Sequence, residues 1–291
     1  MDFTLVTYKK LLITLISQGY KFLSLEKFVF DPVGKIIILR HDVDDLPMNS
    51  LQFARIQVEN GIKGSYYFRN VPGSFDKKVI EEIAGLGHEI GYHYETMDTC
   101  HGNIDKAYNE FCRNLEYFRK LVPVVTVCMH GSPHSMFDNR LIWQKYDYKL
   151  LGIIAEPYFD VNSTDLLYLT DTGRRWDGGT VSIRDKGVNI RDDGKGIKEN
   201  WLDIGDYKDW KVKPLSGSLM NMTPQSIDFQ DKYKFRTTSK IIRAAERYEL
   251  PDKMMITFHP QRWTDQPIPW IKEMVWQSVK NVGKYFLVKL R

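Results

Sequence analysis

Cysteine is scarce in this chain of 291 residues, which has only Cys100, Cys112 and Cys128. Their number is odd and no two of them have CxxC spacing, so we expect no disulfide framework and a reducing compartment. The N-terminus lacks a basic segment and a small-residue cleavage site, which predicts no signal peptide and a cytoplasmic protein. The apolar stretch at residues 11–16 is too short to span a bilayer, so no transmembrane segment is expected.

Several functional motifs are also missing. The sequence contains no GxGxxG and no GxxxxGK[ST], so neither a dinucleotide fold nor a P-loop is indicated. It contains no GxSxG, which leaves a serine hydrolase without support. The net charge of +4 is mild and no dense Lys/Arg run is interleaved with aromatics, so we expect no nucleic-acid partner.

Composition and length favour one globular domain. Hydrophobic residues make up 43% and charged residues 27% of the chain, as in ordinary globular proteins. The length suits one large α/β barrel or two smaller domains. No internal repeat or low-complexity linker divides the sequence, so we predict a single domain over residues 1–291, with an irregular, loop-rich insertion near residues 177–235. The sequence gives no indication of the oligomeric state.

Apolar runs alternate with amphipathic segments, most regularly in the first half of the chain. This alternation is the pattern of βαβ units and predicts an α/β fold with a parallel sheet or barrel. We predict strands at residues 36–39, 64–68, 88–93, 124–129, 166–170, 254–258 and 285–290. We predict helices at residues 8–17, 47–60, 76–86, 104–121, 240–248 and 267–282.

The most informative segment is the sequence His-Asp-Val-Asp-Asp at residues 41–45, which follows the apolar run at residues 36–39. Carboxylates crowded at the end of a strand repel one another unless a positive group holds them. Asp42 and Asp44 point to the same side of an extended backbone. The segment therefore predicts a site, although a solvated acidic turn before a helix explains it equally well when it is taken alone.

The ends of the other strands favour the site. Because parallel strands bring their carboxyl ends to one face, polar residues at those ends meet there. The residues in this position are His41, Asp42, Asp44, His93, His130, Asp171 and His259. Imidazoles and carboxylates together suit a divalent cation such as Zn²⁺, and such a site can hydrolyse amides and esters.

The order of these segments resembles the polysaccharide deacetylase family, of the NodB-homology, carbohydrate esterase type. HDVDD, GSYYF, GHEIGYH, an apolar strand ending in His130 and a strand ending in His259 carry the resemblance, which covers roughly residues 36–263. GHEIGYH is the most specific piece. The resemblance implies a distorted (β/α) barrel with about seven strands, a divalent metal, and deacetylation of chitin, peptidoglycan or related glycans.

The resemblance also implies a role for each acidic residue after the first long strand. Asp42 corresponds to the general base of the family. The family has a metal-binding Asp directly after it, where this chain has Val43. Asp44 is the nearest carboxylate, and we assign it to the metal.

The histidine ligands depart from the family pattern as well. His93 resembles the first metal-binding His, but the position of the second is occupied by Met97. Glu95, Asp98 or His130 would have to replace that ligand, and we prefer His130 because it ends the next strand.

The remaining roles concern proton transfer and the substrate. His259 resembles the general acid of the family, and the segment with Asp171 and Arg175 resembles the one that orients this His. Aromatic rings near the suspected site could stack on a sugar, although core packing is the commoner use of such rings. These candidates are Tyr94, Trp176 and Trp263.

The sequence therefore leads to one main hypothesis and two alternatives. The main one is a hydrolase with Zn²⁺, or Co²⁺ or Mn²⁺, that deacetylates an N-acetylated sugar. Without a signal peptide, a small nucleotide-linked or lipid-linked precursor of a surface polysaccharide fits better than intact cell wall. The alternatives are a catalytically inactive glycan-binding relative and a metal-free hydrolase of another C–N bond.

Overall fold

A computed structural model of the chain describes residues 1–131, 137–162, 166–176 and 229–290, with only the backbone for residues 282–290. The described residues form a mixed α/β structure in which a curled parallel sheet makes a half-barrel flanked by helices. This confirms the predicted fold class of a distorted (β/α) barrel. Of the predicted insertion near residues 177–235, residues 177–228 lie outside the described residues.

All seven strands that the structure describes pair in parallel within one sheet. Their order is β5-β4-β3-β2-β7-β6, with β1 beside β2. The carboxyl ends therefore share one edge, as the sequence pattern predicts. The strands are β1 (Lys21–Leu23), β2 (Ile36–Val43), β3 (Ser65–Phe68), β4 (Glu89–Tyr94), β5 (Val127–Met129), β6 (Leu167–Thr170) and β7 (Lys253–Phe258).

Helices flank the sheet, and the apolar stripes of those before the last one are buried in one core with it. The α-helices are α1 (Leu5–Ser17), α2 (Leu25–Phe30), α3 (Pro47–Glu59), α4 (Lys77–Gly85), α5 (Thr96–Thr99), α6 (Ile104–Arg119), α7 (Pro157–Asp160), α8 (Thr238–Glu246) and α9 (Pro267–Leu290). Short 3₁₀ helices occupy Asn139–Gln144, Tyr148–Leu151 and Pro260–Arg262.

Local sequence explains where the elements next to the site begin. All eight residues of β2 are buried, as expected of a central parallel strand. Pro47 occupies the first turn of α3, where its missing N–H costs no helical hydrogen bond. The side chain of Asn103 accepts from the backbone N–H of Lys106 and caps α6. Because β2 ends at Val43 and α3 begins at Pro47, the short turn between them lies at the carboxyl edge of the sheet.

The prediction of a last strand at residues 285–290 is wrong, because α9 continues to Leu290. Those six residues are aromatic or aliphatic except for Lys289, a composition that also occurs in strands. However, the apolar spacing of Ile271, Val275 and Val279 continues at Val282 and Phe286 with a helical period. The longer pattern decides the structure.

Gly91 in β4 is required by close packing. A Cβ at this position would collide with the ring of Tyr67 and lie 3.1 Å from the backbone oxygen of Thr126. We expect Gly91→Ala to lower the free energy of unfolding by about 1–3 kcal/mol, measured by urea denaturation. The control is Gly85→Ala in α4, whose Cβ would meet no atom within 4 Å. Equal stability of the two variants would contradict the expectation.

His88 precedes β4 and is buried far from the carboxyl edge. Its Nδ1 lies 3.2 Å from the backbone N–H nitrogen of Gly64, and its Nε2 lies 3.1 Å from the carbonyl oxygen of Ala54. Burial lowers the pKa of His88 to about 4. In the unfolded chain His88 has an ordinary pKa of about 6.5 and binds a proton below that pH, whereas the folded chain binds it only near pH 4. Stability is therefore lost as the pH falls from about 6.5 towards about 4.

We expect this His to remove about 2 kcal/mol of stability between about pH 7.5 and about pH 5. His88→Asn carries no group that titrates in this range. Urea denaturation at both pH values should therefore show a smaller loss for the variant than for the parent chain. The same loss in both proteins would contradict the assignment.

Candidate functional site

Strand register places the predicted residues together at the carboxyl edge. His41 of β2 pairs with Phe258 of β7, so His259 follows directly beside Asp42. Tyr94 of β4 pairs with Met129 of β5, so the residue after Met129 lies beside the end of β4. The structure brings together Asp42, Asp44, His93, His130, Asp171 and His259, whose contacts form one connected network.

The carboxylate of Asp44 lies at the centre of this network. Its Oδ1 is 3.6 Å from Nε2 of His93 and 3.7 Å from Nε2 of His130, while its Oδ2 is 3.8 Å from Nε2 of His259. Oδ2 also accepts from Gln261, but Oδ1 is buried and has no hydrogen-bond partner among the described residues. Burial by itself raises the pKa of Asp44, but the surrounding histidines hold it below its usual value.

Each of the three imidazoles is oriented through its other nitrogen. Nδ1 of His93 is 2.9 Å from the carbonyl oxygen of Cys128, and Nδ1 of His130 is 2.9 Å from Oε2 of Glu95. Nδ1 of His259 is 2.5 Å from Oδ1 of Asp171. These partners are acceptors, so each Nδ1 carries a proton and each Nε2 is left pointing towards Asp44. Burial also lowers the pKa of His93 to about 4, which keeps this ring neutral at neutral pH.

Glu95, which the sequence offered as a metal ligand, instead contacts Nδ1 of His130 and orients that ring. It follows β4, accepts from His130, and receives a guanidinium nitrogen of Arg69 at 2.7 Å. Burial alone raises the pKa of Glu95, but the hydrogen bonds from His130 and Arg69 lower it to about 2. Glu95 therefore stays ionised and fixes the His130 ring. Arg69 was not a sequence candidate, because nothing in its segment marks it as a partner of Glu95.

Asp42 forms a buried ion pair with Arg40 on the same strand. Nε and Nη2 of Arg40 donate to Oδ1 and Oδ2 of Asp42 at 2.7 and 2.6 Å. Oδ2 of Asp42 is also 3.8 Å from Nε2 of His93. Although burial raises the pKa of Asp42, Arg40 holds it well below its usual range. The i, i+2 spacing of Arg40 and Asp42 was the signal in the sequence that could have revealed this pair.

Asp171 orients His259 with help from two further donors. The backbone N–H and the ring of His259 both donate to its carboxylate. Arg262 donates to Oδ1 at 3.1 Å and Trp263 to Oδ2 at 2.6 Å. Arg262, which was not a sequence candidate, thus contacts Asp171, and Arg175, which the sequence pointed to, lies half-buried after β6.

The aromatic residues predicted to stack on a sugar lie in the core instead. Tyr94 and Trp263 are fully buried, and Trp176 is 4% exposed. Their polar atoms have partners inside the protein, with Trp176 donating to Thr238 and Tyr94 accepting from Trp143. A buried indole or phenol needs such a partner, and these hydrogen bonds hold the rings in the core.

One group of buried side chains meets a simple geometric test for a metal site. Ligand atoms of Asp42, His93 and Cys128 all lie within 4.8 Å of one another, so these residues could hold a metal ion. Burial raises the pKa of the Cys128 thiol well above its usual value. A thiol must lose its proton to bind a metal, so this environment disfavours Cys128 as a ligand.

Comparison of the chain with models of known protein families, with curated proteins and with solved structures gave no match. The relation to polysaccharide deacetylases therefore depends on the sequence motifs alone and stays a prediction. Among the described residues, no helix has both the length and the apolar character needed to cross a membrane.

The Arg40–Asp42 pair should matter strongly for stability. Asp42→Asn leaves a buried guanidinium without its counter-charge, and we expect it to lower the free energy of unfolding by about 3–5 kcal/mol. Replacing both partners, as in R40M/D42L, should recover much of this loss. The control is Glu59→Gln in the exposed pair with Lys9, with an expected effect below about 1 kcal/mol in the same urea denaturation. A change of similar size in D42N and E59Q would contradict the expectation.

Proposed function

We propose that the chain is a metal-dependent hydrolase that removes the acetyl group from an N-acetylated sugar. One observation carries the proposal, which is the convergence of three imidazole Nε2 atoms on the carboxylate of Asp44. A buried carboxylate oxygen without a hydrogen bond is costly unless a positive group neutralises it. A cation beside Oδ1 of Asp44 would supply that charge.

We assign the metal to Asp44, His93 and His130. Oδ1 of Asp44 lies beside Nε2 of both imidazoles, and neither of these nitrogens is needed to orient its own ring. Two imidazoles and one carboxylate leave a position open for substrate, as catalytic zinc sites do. This set favours Zn²⁺, with Co²⁺ or Mn²⁺ as other fits. The acceptors behind the rings, Glu95 and the Cys128 carbonyl, would fix their orientation.

When bound, the metal would polarise the amide carbonyl of the substrate as a Lewis acid. Asp42 stays ionised beside Arg40, and its carboxylate oxygens keep lone pairs with which to accept a proton from the attacking water. His259 would deliver a proton from Nε2 to the leaving nitrogen as the C–N bond breaks. Asp171 would stabilise the protonated ring that precedes this transfer.

The sequence resemblance supports an N-acetylated sugar as substrate. Within that class we propose a small nucleotide-linked or lipid-linked sugar rather than a polymer. The buried positions of Tyr94, Trp176 and Trp263 mean that other groups would have to hold the sugar ring.

Metal content tests the ligand assignment. We expect about one divalent ion per chain after incubation with Zn²⁺ and desalting, measured by mass spectrometry of the metal. Asp44→Asn and His130→Ala should each weaken binding by at least about tenfold. The matched control is Asp45→Asn, the exposed neighbour, which should bind like the parent. Loss of metal from C128S with full retention in H130A would instead favour the Asp42, His93 and Cys128 group.

Acetate release from N-acetylated hexosamines, free and nucleotide-linked, tests the reaction. We expect activity that chelation removes and Zn²⁺ restores. His259→Ala should keep the metal and lower kcat by about 10²–10⁴-fold, because it removes only a proton donor. An H259A variant as active as the parent would contradict the assignment. Metal binding without turnover of any N-acetylated sugar would favour the glycan-binding alternative.

A further inference from the structure

The last helix, α9, turns its polar edge towards the protein and its apolar face outwards. Between residues 271 and 280 only Glu273 and Gln277 are not exposed. With Asn281, they form a polar line at i, i+4 spacing. A surface helix usually packs against the protein through its apolar side chains, whereas α9 does so through these polar ones.

The exposed face of this helix is strongly apolar. Ile268 is 80% exposed, Ile271 52%, Val275 53% and Val279 60%. Their spacing of three and four residues places them in one stripe. Trp276, at 54% exposure, flanks the stripe, and Nζ of Lys280 lies 4.8 Å from the centre of its ring. A continuous apolar stripe of this kind indicates a binding surface.

The charge of the protein is concentrated in the same segment. Residues 267–291 contain five Lys or Arg residues and one acidic residue, Glu273. Residues 1–266 contain 36 basic and 36 acidic residues, so the net charge of +4 resides entirely in the C-terminal segment. Lys272 is exposed within the apolar stripe, where a long Lys side chain can extend its charge to headgroup level.

We propose that α9 lies on the surface of an anionic phospholipid bilayer. An exposed apolar stripe with Trp, flanked by Lys, is the pattern of helices that bind in the plane of the membrane interface. The positive charge selects anionic lipids, to which each Lys near the surface adds binding energy. A second copy of the chain is a poorer fit, because pairing two such helices would bring their positive charges together.

The helix is attached next to the candidate site. Nδ2 of Asn281 donates to the carbonyl oxygen of Gly173 at 2.9 Å, and Arg174 donates to the carbonyl oxygen of Trp270 at 3.1 Å. Gly173 and Arg174 follow Asp171 by two and three residues. A membrane bound by α9 would thus lie close to the segment that orients His259, whether or not the site hydrolyses an N-acetyl group.

Vesicle sedimentation with the full chain tests this surface. We expect binding to vesicles of phosphatidylcholine mixed with phosphatidylglycerol that exceeds binding to pure phosphatidylcholine by about tenfold or more, and that weakens with salt. V275D/V279D should abolish binding. K272Q/K280Q keeps the apolar stripe and should weaken binding only to the anionic vesicles, by about tenfold. Leu150→Asp, at an 85% exposed Leu outside α9, is the matched control and should bind like the parent.

Light scattering and circular dichroism complete the test. All variants should keep the parent's helix signal, because the changed side chains are exposed. No sedimentation with either vesicle, or equal sedimentation with both, would overturn the proposal. So would a dimer that V275D/V279D converts to a monomer, because the stripe would then be covered by a second copy.

Discussion

The need to neutralise carboxylates buried at one edge of the sheet governs the site. Three of these carboxylates each have a guanidinium partner within the protein. The pairs are Asp42 with Arg40, Glu95 with Arg69, and Asp171 with Arg262. Asp44 differs, because its carboxylate contacts three imidazoles and Gln261 but no guanidinium among the described residues. Among the described residues Asp44 thus lacks the arginine that neutralises the other carboxylates, which is why the proposed metal is assigned to it.

The sequence predicted this edge well because two simple periodicities determine it. Parallel strands bring their carboxyl ends together, so His93, His130 and His259 could be placed near one another without knowledge of the strand order. The period of two along an extended chain placed Asp42 and Asp44 on the same side despite the intervening Val43. Both predictions depend on local patterns that a buried strand shows directly in its sequence.

The partners of these residues could not be predicted in the same way. Arg262 contacts Asp171 from a 3₁₀ helix 91 residues later in the chain, and which of several arginines does so depends on loop geometry. The burial of Trp263 follows from packing against Phe258 and from its hydrogen bond to Asp171, neither of which has a periodic signal. The short apolar run at residues 285–290 misled the strand prediction, because so short a window does not separate a strand from the end of a long helix.

The site and α9 share one structural element, the segment at residues 171–176. Its first residue, Asp171, orients His259, and its next residues hold the inner edge of α9 through Gly173 and Arg174. Because Asp171 is fully buried and held by several donors, the segment is anchored at the site end. The apolar stripe of α9 is therefore set at a fixed place relative to the carboxyl edge of the sheet. The proposed membrane surface and the proposed reacting groups therefore depend on the same six residues of the chain, and a change in this segment would affect both.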